Sequence, residues 1–363
     1  MRSCTKVLVV GPELILQWTE STTRALESLG CRVRCHFYNR SGLRSRIKRL
    51  RQAVSHGVGL ALPAFPQPLL QWYGARLAVR SAPSLVDEAK AFQPDVVLIL
   101  KGESLQASTL QQLKAKTRAT LAVWWVDHPF MNAETRRTWR YVPDCIPLYD
   151  HCFVFDHEYE EPLRAAGARS VSFLPCAADP EVYRPQALTD VDRARYGTSV
   201  NLIGVYSEQR ARIVEALSRE PGLGLWGPGW RSFLAGRCGG DTQAFHGESL
   251  LPAEACKVYN AGAVNLNTHH PQTRRGGLNT RSFEIPAAGG FELTDYVPEM
   301  ESLLEPGREV VVYRSPEEAR NLAQHYVKVE DERRRIAEAG HRRVLAEHTY
   351  RHRMQTLLKL VTG

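Results

Sequence analysis

Long apolar runs are missing from this 363-residue sequence. None approaches the roughly 18 consecutive apolar residues that a membrane-spanning helix needs, so we expect no transmembrane segment. The run KVLVV near the N-terminus is followed at once by Gly11 and Pro12, which is typical of a first strand and not of a signal peptide. The eight cysteines include no C-x-x-C pair, which indicates buried or free thiols in a reducing compartment. The sequence therefore predicts a cytoplasmic protein.

Convincing metal and dinucleotide motifs are also missing. The acid pair of Asp190 and Asp192 has no strand before it to aim the carboxylates, so solvated linker is the better interpretation. The adjacent His269 and His270 are not accompanied by four ligands at zinc spacing, and we interpret them as substrate-loop or surface residues. The glycines of GLGLWG, residues 222–227, flank a strand instead of opening a helix, which argues against a dinucleotide fingerprint. We expect no metal and no other cofactor.

Acidic residues are absent from residues 28–86, where ten Lys or Arg occur, within a chain of net charge +8. Residues 40–54 combine this charge with apolar residues at helical spacing. Such a helix either lies on an anionic membrane or is an ordinary basic surface helix. No aromatic platform or recognised nucleic-acid motif accompanies the charge, so we expect no nucleic-acid partner. The apolar positions are Leu43, Ile47, Leu50 and Val54.

The first half of the chain alternates apolar strand-like runs with helix-like segments. DVVLIL (95–100) and TLAVWWV (120–126) are continuous apolar runs, as is typical of buried parallel strands. This alternation predicts a doubly wound α/β sheet, whose ligands bind beyond the carboxyl ends of the strands. Lys101 follows the first of these runs directly, and Asp127 and His128 follow the second. These residues are therefore candidates for a site.

In the second half, residues 265–298 combine an apolar strand, a loop rich in Arg, and a helix-like segment that ends in Gly289 and Gly290. A loop of this kind before a helix is suited to an anion, and Arg274, Arg275 and Arg281 add full charges. Glu284 follows one turn later, where a carboxylate can accept two hydrogen bonds from a vicinal diol. Hydrogen-bond donors suited to a phosphate, beside a carboxylate suited to a diol, indicate a nucleoside diphosphate and its ribose.

The segment LNTRSFEIPAAGGF, residues 278–291, resembles the donor-site motif of the CgeB-type, spore-maturation glycosyltransferases and, more loosely, of the GT-B transferases. The K-G after PDVVLIL, the W-x-x-D-x-P at residues 124–129 and FLPCAADPEVYRP at residues 173–185 are similar to the same family. The resemblance extends over residues 6–360 and is weakest from 39 to 84. Many GT-B transferases have a further Glu eight residues before the one at position 284, where this chain has Gly276.

This resemblance implies an α/β fold of GT-B architecture, with two Rossmann-like doubly wound domains facing across a cleft. We expect an N-terminal acceptor domain over residues 1–185, a linker over 186–198 and a nucleotide-sugar domain over 199–348. Residues 349–363 would form a C-terminal helix that crosses back to the first domain. The resemblance assigns the donor to Gly204, Arg210, Arg274, Asn279, Arg281, Glu284 and Gly289, and the acceptor side to Gly11 and His128.

The predicted function is metal-independent transfer of a sugar from a nucleotide sugar to an acceptor hydroxyl. The acceptor would be a glycan, a lipid-linked glycan or a protein, and the basic helix would hold the enzyme at the inner face of the plasma membrane. Lys101 and Asp127 are the catalytic candidates, and Asp127 is either a general base or acceptor anchor or the N-cap of the helix that follows it. A nucleotide-sugar epimerase of this fold and a non-catalytic nucleotide-sugar-binding protein are the alternatives.

Overall fold

The computed structural model describes residues 4–12, 16–38, 67–130, 141–218, 222–237, 243–270 and 276–363. Two compact units make up the chain: Met1–Pro175 with Tyr350–Gly363, and Cys176–Thr349. The basic segment 40–54 lies outside the described residues. Among the described helices, none is both long and apolar enough to cross a membrane.

The first unit contains a parallel sheet, in the order β2-β1-β3-β4-β5-β6 within the described residues. Its central strand β3 is buried along its whole length, because its apolar run packs against helices on both faces. The order reverses between β1 and β3, so the chain leaves these neighbouring strands in opposite directions. The strands are β1 (Lys6–Gly11), β2 (Arg32–Phe37), β3 (Val96–Leu100), β4 (Thr120–Trp125), β5 (His151–Val154) and β6 (Val171–Phe173).

Helices of the first unit pack on this sheet, and the C-terminal helix α14 is one of them. Met354 and Leu357 of α14 lie in the same hydrophobic core as Val7 and Leu98. Arg353 Nε donates to Pro175 O at 3.0 Å. The helices are α1 (Leu16–Ser28), α2 (Gln67–Phe92), α3 (Ala107–Lys116), α4 (Val142–Cys145), α5 (Glu160–Ala165) and α14 (Tyr350–Thr362), with short 3-10 turns at Ile146–Leu148 and His157–Tyr159.

The second unit contains another parallel sheet, in the order β12-β11-β10-β7-β8-β9 within the described residues. Here the order reverses between β7 and β10. The strands are β7 (Val200–Ile203), β8 (Leu223–Trp226), β9 (Phe245–Gly247), β10 (Val264–Asn267), β11 (Glu292–Asp295) and β12 (Val311–Tyr313). The helices are α6 (Asp190–Tyr196), α7 (Glu208–Leu217), α8 (Trp230–Arg237), α9 (Pro252–Ala261), α10 (Arg281–Ala287), α11 (Met300–Leu303), α12 (Pro316–Lys328) and α13 (Glu330–Glu347).

The prediction of two doubly wound α/β domains is confirmed. Within the expected linker, however, residues 190–196 form helix α6, which begins with a capping box between Thr189 and Asp192. Asp192 is buried and also pairs with Lys257 Nζ at 2.7 Å, instead of being solvated. These bonds lower the pKa of Asp192 to about 2, led by the hydrogen bond from Lys257. Asp192 therefore has a structural role in this domain, whereas Asp190 is exposed, as predicted.

Candidate functional site

The switch point of the second sheet lies between β7 and β10, where open α/β sheets bind their ligands. Gly204 follows β7, and Thr268 follows β10. Trp230 Nε1 donates to Gly204 O at 2.7 Å, which fixes the backbone at this turn. The side chains that converge here come from the first turns of α7, which begins soon after β7, and of α10, which follows β10 after a longer loop.

Arg210 lies in the first turn of α7 and is only 7% exposed. Its Nη1 donates to Val205 O at 2.7 Å, and its Nη2 donates to Thr268 O at 3.2 Å. Burial and the nearby charge of Arg281 lower the pKa of Arg210 to about 9, while Asp295 opposes this shift. The guanidinium is therefore still positive at pH 7, although it is held in an unfavourable environment.

Arg281, the first residue of α10, reaches the same turn. Its Nε donates to Asn267 Oδ1 at 2.9 Å, and its Nη2 approaches Thr268 O at 3.5 Å. A Cβ on Gly204 would lie 3.1 Å from Arg210 Nη1 and 3.6 Å from Arg281 Nη1. Two like charges thus meet beside Gly204, where any side chain would crowd them. Such an arrangement is stabilised by an anion, which each guanidinium can bind through a fork of N–H donors.

A cavity of about 180 Å³ opens beside this arginine pair. Glu284 lines it, one turn after Arg281, and is half-buried. Burial raises the pKa of Glu284, whereas the charge of Arg281 and hydrogen bonds with Tyr183 and Thr280 lower it in part. The carboxylate is therefore partly shielded from solvent and lines the cavity. A carboxylate in such a position can accept hydrogen bonds from hydroxyl groups of a ligand. The lining residues include Tyr183, Gly204, Tyr259, Arg281, Glu284 and the apolar group Ile203, Leu250, Pro252 and Ala255.

Other residues assigned to the donor lie elsewhere in this domain. The Asn279 amide bonds with that of Asn267 through two contacts of 3.1 Å, so it supports the residue that holds Arg281. Gly289 does not line this cavity: it contributes to a second one of about 380 Å³, together with Pro185 and residues of α13. Arg274 and its neighbour Arg275 lie outside the described residues.

Beneath the arginine pair lies a polar network that the sequence analysis missed. Asn267 Nδ2 donates to Glu292 Oε1 at 2.8 Å, and both residues are buried. His269, expected in a substrate loop or at the surface, is fully buried, and its Nδ1 contacts Asp295 Oδ1 at 2.8 Å. The pairing with Asp295 on the neighbouring strand β11 is the physical reason. Among the described residues no group of His, Cys, Asp and Glu is arranged to hold a metal.

In the first domain, Lys101 and Asp127 form an ion pair, with Nζ and Oδ2 2.9 Å apart. Lys101 adopts a left-handed φ of 68°, uncommon for a residue with a side chain, and Trp125 Nε1 donates to its carbonyl at 2.8 Å. Burial lowers the pKa of Lys101, but the charges of Asp127 and Glu103 outweigh it and raise the pKa overall. Lys101 therefore stays protonated and cannot act as a base. The helix that Asp127 would cap falls on residues 131–140, outside the described residues.

Gly11 and Lys101 lie at the switch point of the first sheet, between β1 and β3. A Cβ on Gly11 would come 2.2 Å from Thr19 Oγ1, so glycine is needed for the close packing of α1. His128 Nδ1 accepts a hydrogen bond from Phe130 N at 2.9 Å, and its ring packs on Tyr159 with centroids 4.5 Å apart. Burial lowers the pKa of His128, with an opposing effect of Asp156, so the ring is neutral at pH 7.

Residues 209–359 match the model of a glycosyl transferase-like family. No curated protein matches the sequence closely enough to count as a relative. Among solved structures, HepE of Anabaena in complex with UDP and glucose is similar over 99% of this chain and 100% of its own, with a TM-score of 0.67 and 13% identity.

Two further structures have the same architecture. Sucrose-phosphate synthase of Thermosynechococcus elongatus is 13% identical with a TM-score of 0.65, over 99% of each chain. A glycosyltransferase of Rickettsia africae is 10% identical with a TM-score of 0.65, over 99% of this chain and 98% of its own. At these identities the likeness concerns the fold. Residues 209–359, from α7 into α14, thus match a glycosyl transferase-like family, and the two sheets of the chain have the GT-B fold of these glycosyltransferase structures.

Proposed function

We propose that the second domain binds a nucleoside-diphosphate sugar at the switch point between β7 and β10. The observation that carries this proposal is the convergence of Arg210 and Arg281 on Gly204, at the wall of the cavity that Glu284 lines. The diphosphate would lie against the two guanidinium groups, and the ribose hydroxyls would donate to Glu284. UDP is the first nucleotide to test, because HepE was solved with UDP and with UDP-glucose.

In the proposed reaction the bond between the anomeric carbon and the diphosphate oxygen breaks, and the acceptor oxygen forms the new bond to that carbon. The departing diphosphate gains negative charge, which Arg210 and Arg281 are placed to stabilise without a metal ion. The proton of the acceptor hydroxyl passes to an oxygen of the departing diphosphate, which has gained the electrons of the broken bond. Stabilisation of the developing charge by groups already in position is usually the largest contribution to such a step.

We assign the acceptor to the first domain, with Lys101 and Asp127 as the residues that contact it. The ion pair with Lys101 favours the anchoring role of Asp127, because an adjacent ammonium stabilises the carboxylate and weakens it as a base. Gly11 and His128 line the neighbouring strand ends in this proposal. The acceptor class remains a glycan, a lipid-linked glycan or a protein, as the CgeB-type resemblance suggests.

The CgeB-type subfamily, a role in cell-surface glycan synthesis and a cytoplasmic location belong to the same proposal. The acid-free segment 28–86 supports a peripheral contact with anionic lipid through residues 40–54. Donor binding does not require the contact with lipid, so donor binding and lipid binding can be tested separately.

The arginine pair provides the test of donor binding. Arg281→Ala removes one of the two positive charges that would contact the diphosphate. Since a charged hydrogen bond contributes about 1.5–3 kcal/mol, affinity for UDP should fall by about tenfold or more. Affinity for uridine should stay the same, because uridine carries no phosphate. Arg210→Ala should behave alike, and isothermal titration of each protein with both ligands measures the ratio.

Arg343→Ala is the matched control, because Arg343 is a partly exposed arginine of the same domain that pairs with Glu347 at 2.8 Å. It should leave both affinities unchanged. Equal losses of UDP and uridine binding in the Arg210 and Arg281 variants would mean that these arginines only support the fold, and the proposed donor site would then be abandoned.

A further inference from the structure

Glu292 is a buried carboxyl group that the proposed reaction does not use. It is the first residue of β11 and is 2% exposed. Its Oε1 accepts a hydrogen bond from Asn267 Nδ2 at 2.8 Å, while Oε2 finds no hydrogen-bond partner within the described ranges. An isolated buried carboxylate is costly, so a carboxyl group in this place favours its neutral form.

Asn267 connects Glu292 to the arginine pair. The same amide that donates to Glu292 accepts, through Oδ1, a hydrogen bond from Arg281 Nε at 2.9 Å. Asn267 Nδ2 also contacts Ser282 Oγ at 3.1 Å, on the helix that carries Arg281. The amide can turn only by breaking bonds on both sides. Glu292, Asn279 and Ser282 together hold this orientation, and with it the position of the Arg281 guanidinium. Glu292 is the partner with the shortest contact and the one of the three that can ionise.

The charge of Glu292 matters as well as its position. Burial raises its pKa to about 8, even though hydrogen bonds with Asn267 and Ser282 and the charge of Arg281 lower it, and Asp295 raises it further. At pH 7 the group is therefore mostly neutral. When ionised, it would place a negative charge beneath Arg281 and reduce the positive potential that an anion meets there.

We propose that Glu292 is a positioning residue for the diphosphate: in its neutral form it orients Arg281 through Asn267 and leaves the charge of the arginine pair undiminished. This inference rests on the proposed function of the arginine pair. It adds that donor affinity depends on the protonation of Glu292, a residue that does not contact the nucleotide.

Other charged or titratable groups surround Glu292 and set its environment. Arg281 comes from α10, Arg210 from α7 and Asp295 from the same strand β11, while His269 follows β10. Two tyrosines, Tyr259 of α9 and Tyr313 of β12, are buried, and burial raises their pKa well above the usual value, so they stay neutral. Glu292, with a pKa of about 8, is thus the first group of this set to ionise above neutral pH, and Arg210 follows with a pKa of about 9.

The sign of the pH effect follows from this arrangement. The neutral form favours the anion, so affinity should be nearly full at pH 7 and should fall as the pH rises through the pKa of Glu292. If the ionised form did not bind, affinity at pH 8.5 would be lower by about fourfold, the inverse of the neutral fraction. By the same linkage, a bound diphosphate raises the pKa of Glu292, so binding near pH 8.5 takes up a proton.

Glu292→Gln is the informative variant, because its amide keeps an acceptor for Asn267 and cannot ionise. The probe is UDP, with inorganic pyrophosphate as a probe that needs no base. Wild-type affinity should fall from pH 7 to pH 8.5, and the variant should match wild type at pH 7 and change much less, because Arg210, with a pKa of about 9, is still mostly protonated at pH 8.5. Calorimetry at pH 8.5 in two buffers of different ionisation enthalpy should show clearly more proton uptake in wild type than in Glu292→Gln.

Glu292→Leu removes the acceptor, so it should weaken UDP binding and leave uridine binding unchanged. Glu318→Gln, at an exposed glutamate that accepts from Arg314 N, should retain the wild-type pH profile. Equal pH profiles and equal proton uptake in wild type and Glu292→Gln would overturn the inference, even if Arg281→Ala weakens UDP binding. If Arg281→Ala has no effect on UDP binding, the proposed function fails and the inference fails with it.

Discussion

At the residue scale, the proposed site assigns the recognition of the ribose to Glu284, which lines the cavity. Hydrogen bonds with Tyr183 and Thr280 orient its carboxylate, and burial raises its pKa. Glu284→Gln keeps the shape but loses the charge that strengthens bonds from the two hydroxyls. We expect UDP affinity to fall by about tenfold or more, from charged hydrogen bonds of about 1.5–3 kcal/mol each. Titration of wild type and variant with UDP and 2′,3′-dideoxy-UDP measures this.

Wild type should discriminate against the dideoxy nucleotide, and Glu284→Gln should discriminate less, because the unpaired carboxylate penalises the analogue. Glu332→Gln is a matched control, since Glu332 accepts from Tyr326 Oη at 3.4 Å in the same domain but lies outside the cavity. If wild type and Glu284→Gln bind the two nucleotides in the same ratio, Glu284 does not contact the ribose.

Some residues of the candidate site could be identified from the sequence, and others could not. Arg210, Arg281 and Glu284 stand at recognisable distances from strand ends, and the structure brings them together. Asn267 and Glu292 lie within short strands, where their spacing resembles that of ordinary strand residues. Their bond at 2.8 Å joins two strands through the register of β10 against β11, which a single sequence does not specify.

At the scale of single elements, the end of α10 has a Schellman motif, as the paired glycines predicted. Gly289 N donates to Pro286 O at 2.8 Å, and Gly290 N donates to Ile285 O at 3.0 Å. Gly289 has a φ of 81°, and a Cβ there would meet Pro185 Cγ at 3.2 Å. The geometry gives Gly289 a structural role in ending the helix, whereas the resemblance assigned it to the donor.

Gly289→Ala should therefore lower the free energy of unfolding by about 1–2 kcal/mol, the cost of a left-handed residue with a side chain. UDP affinity of the folded protein should not change. Gly236→Ala is the matched substitution inside helix α8, with open space around the new methyl group, and it should raise stability slightly. Chemical denaturation measures both. A stable Gly289→Ala variant with weakened UDP binding would instead support the donor role.

Long apolar or strongly periodic elements were predictable, and short ones were not. β3 and β4 are continuous apolar runs, and both form central strands. β12 has three residues and α8 has eight, too few for their hydrophobic period to be distinguished from a loop. Helix α6 begins with a capping box whose Asp192 finds its partner Lys257 only after folding. Such pairings are tertiary and outweigh local preference.

At the scale of the whole molecule, the two units have their functional candidates at the same place in the sheet, but the side chains at that place differ. Each sheet reverses its order at one point, and functional candidates stand at both reversals. In the first unit the reversal is followed by an ion pair of Lys101 and Asp127, which can donate to and accept from a hydroxyl. In the second it is followed by two neighbouring arginines that donate to one backbone carbonyl, and such a pair suits a diphosphate. The division predicts that the two activities can be separated by mutation.

Asp127→Asn tests that separation, because it removes a carboxylate from the first unit and leaves every residue of the donor cavity in place. UDP affinity should equal that of wild type. Acceptor-dependent release of nucleotide should fall by about tenfold or more, because a charged hydrogen bond that anchors the acceptor contributes about 1.5–3 kcal/mol. Asp87→Asn, at an exposed aspartate of the same unit, should change neither.

A panel of nucleotide sugars with candidate acceptors supplies the assay, and nucleotide release should require both substrates. Loss of UDP binding in Asp127→Asn would show that the residue supports the donor site instead. Full activity in that variant would remove Asp127 from the reaction.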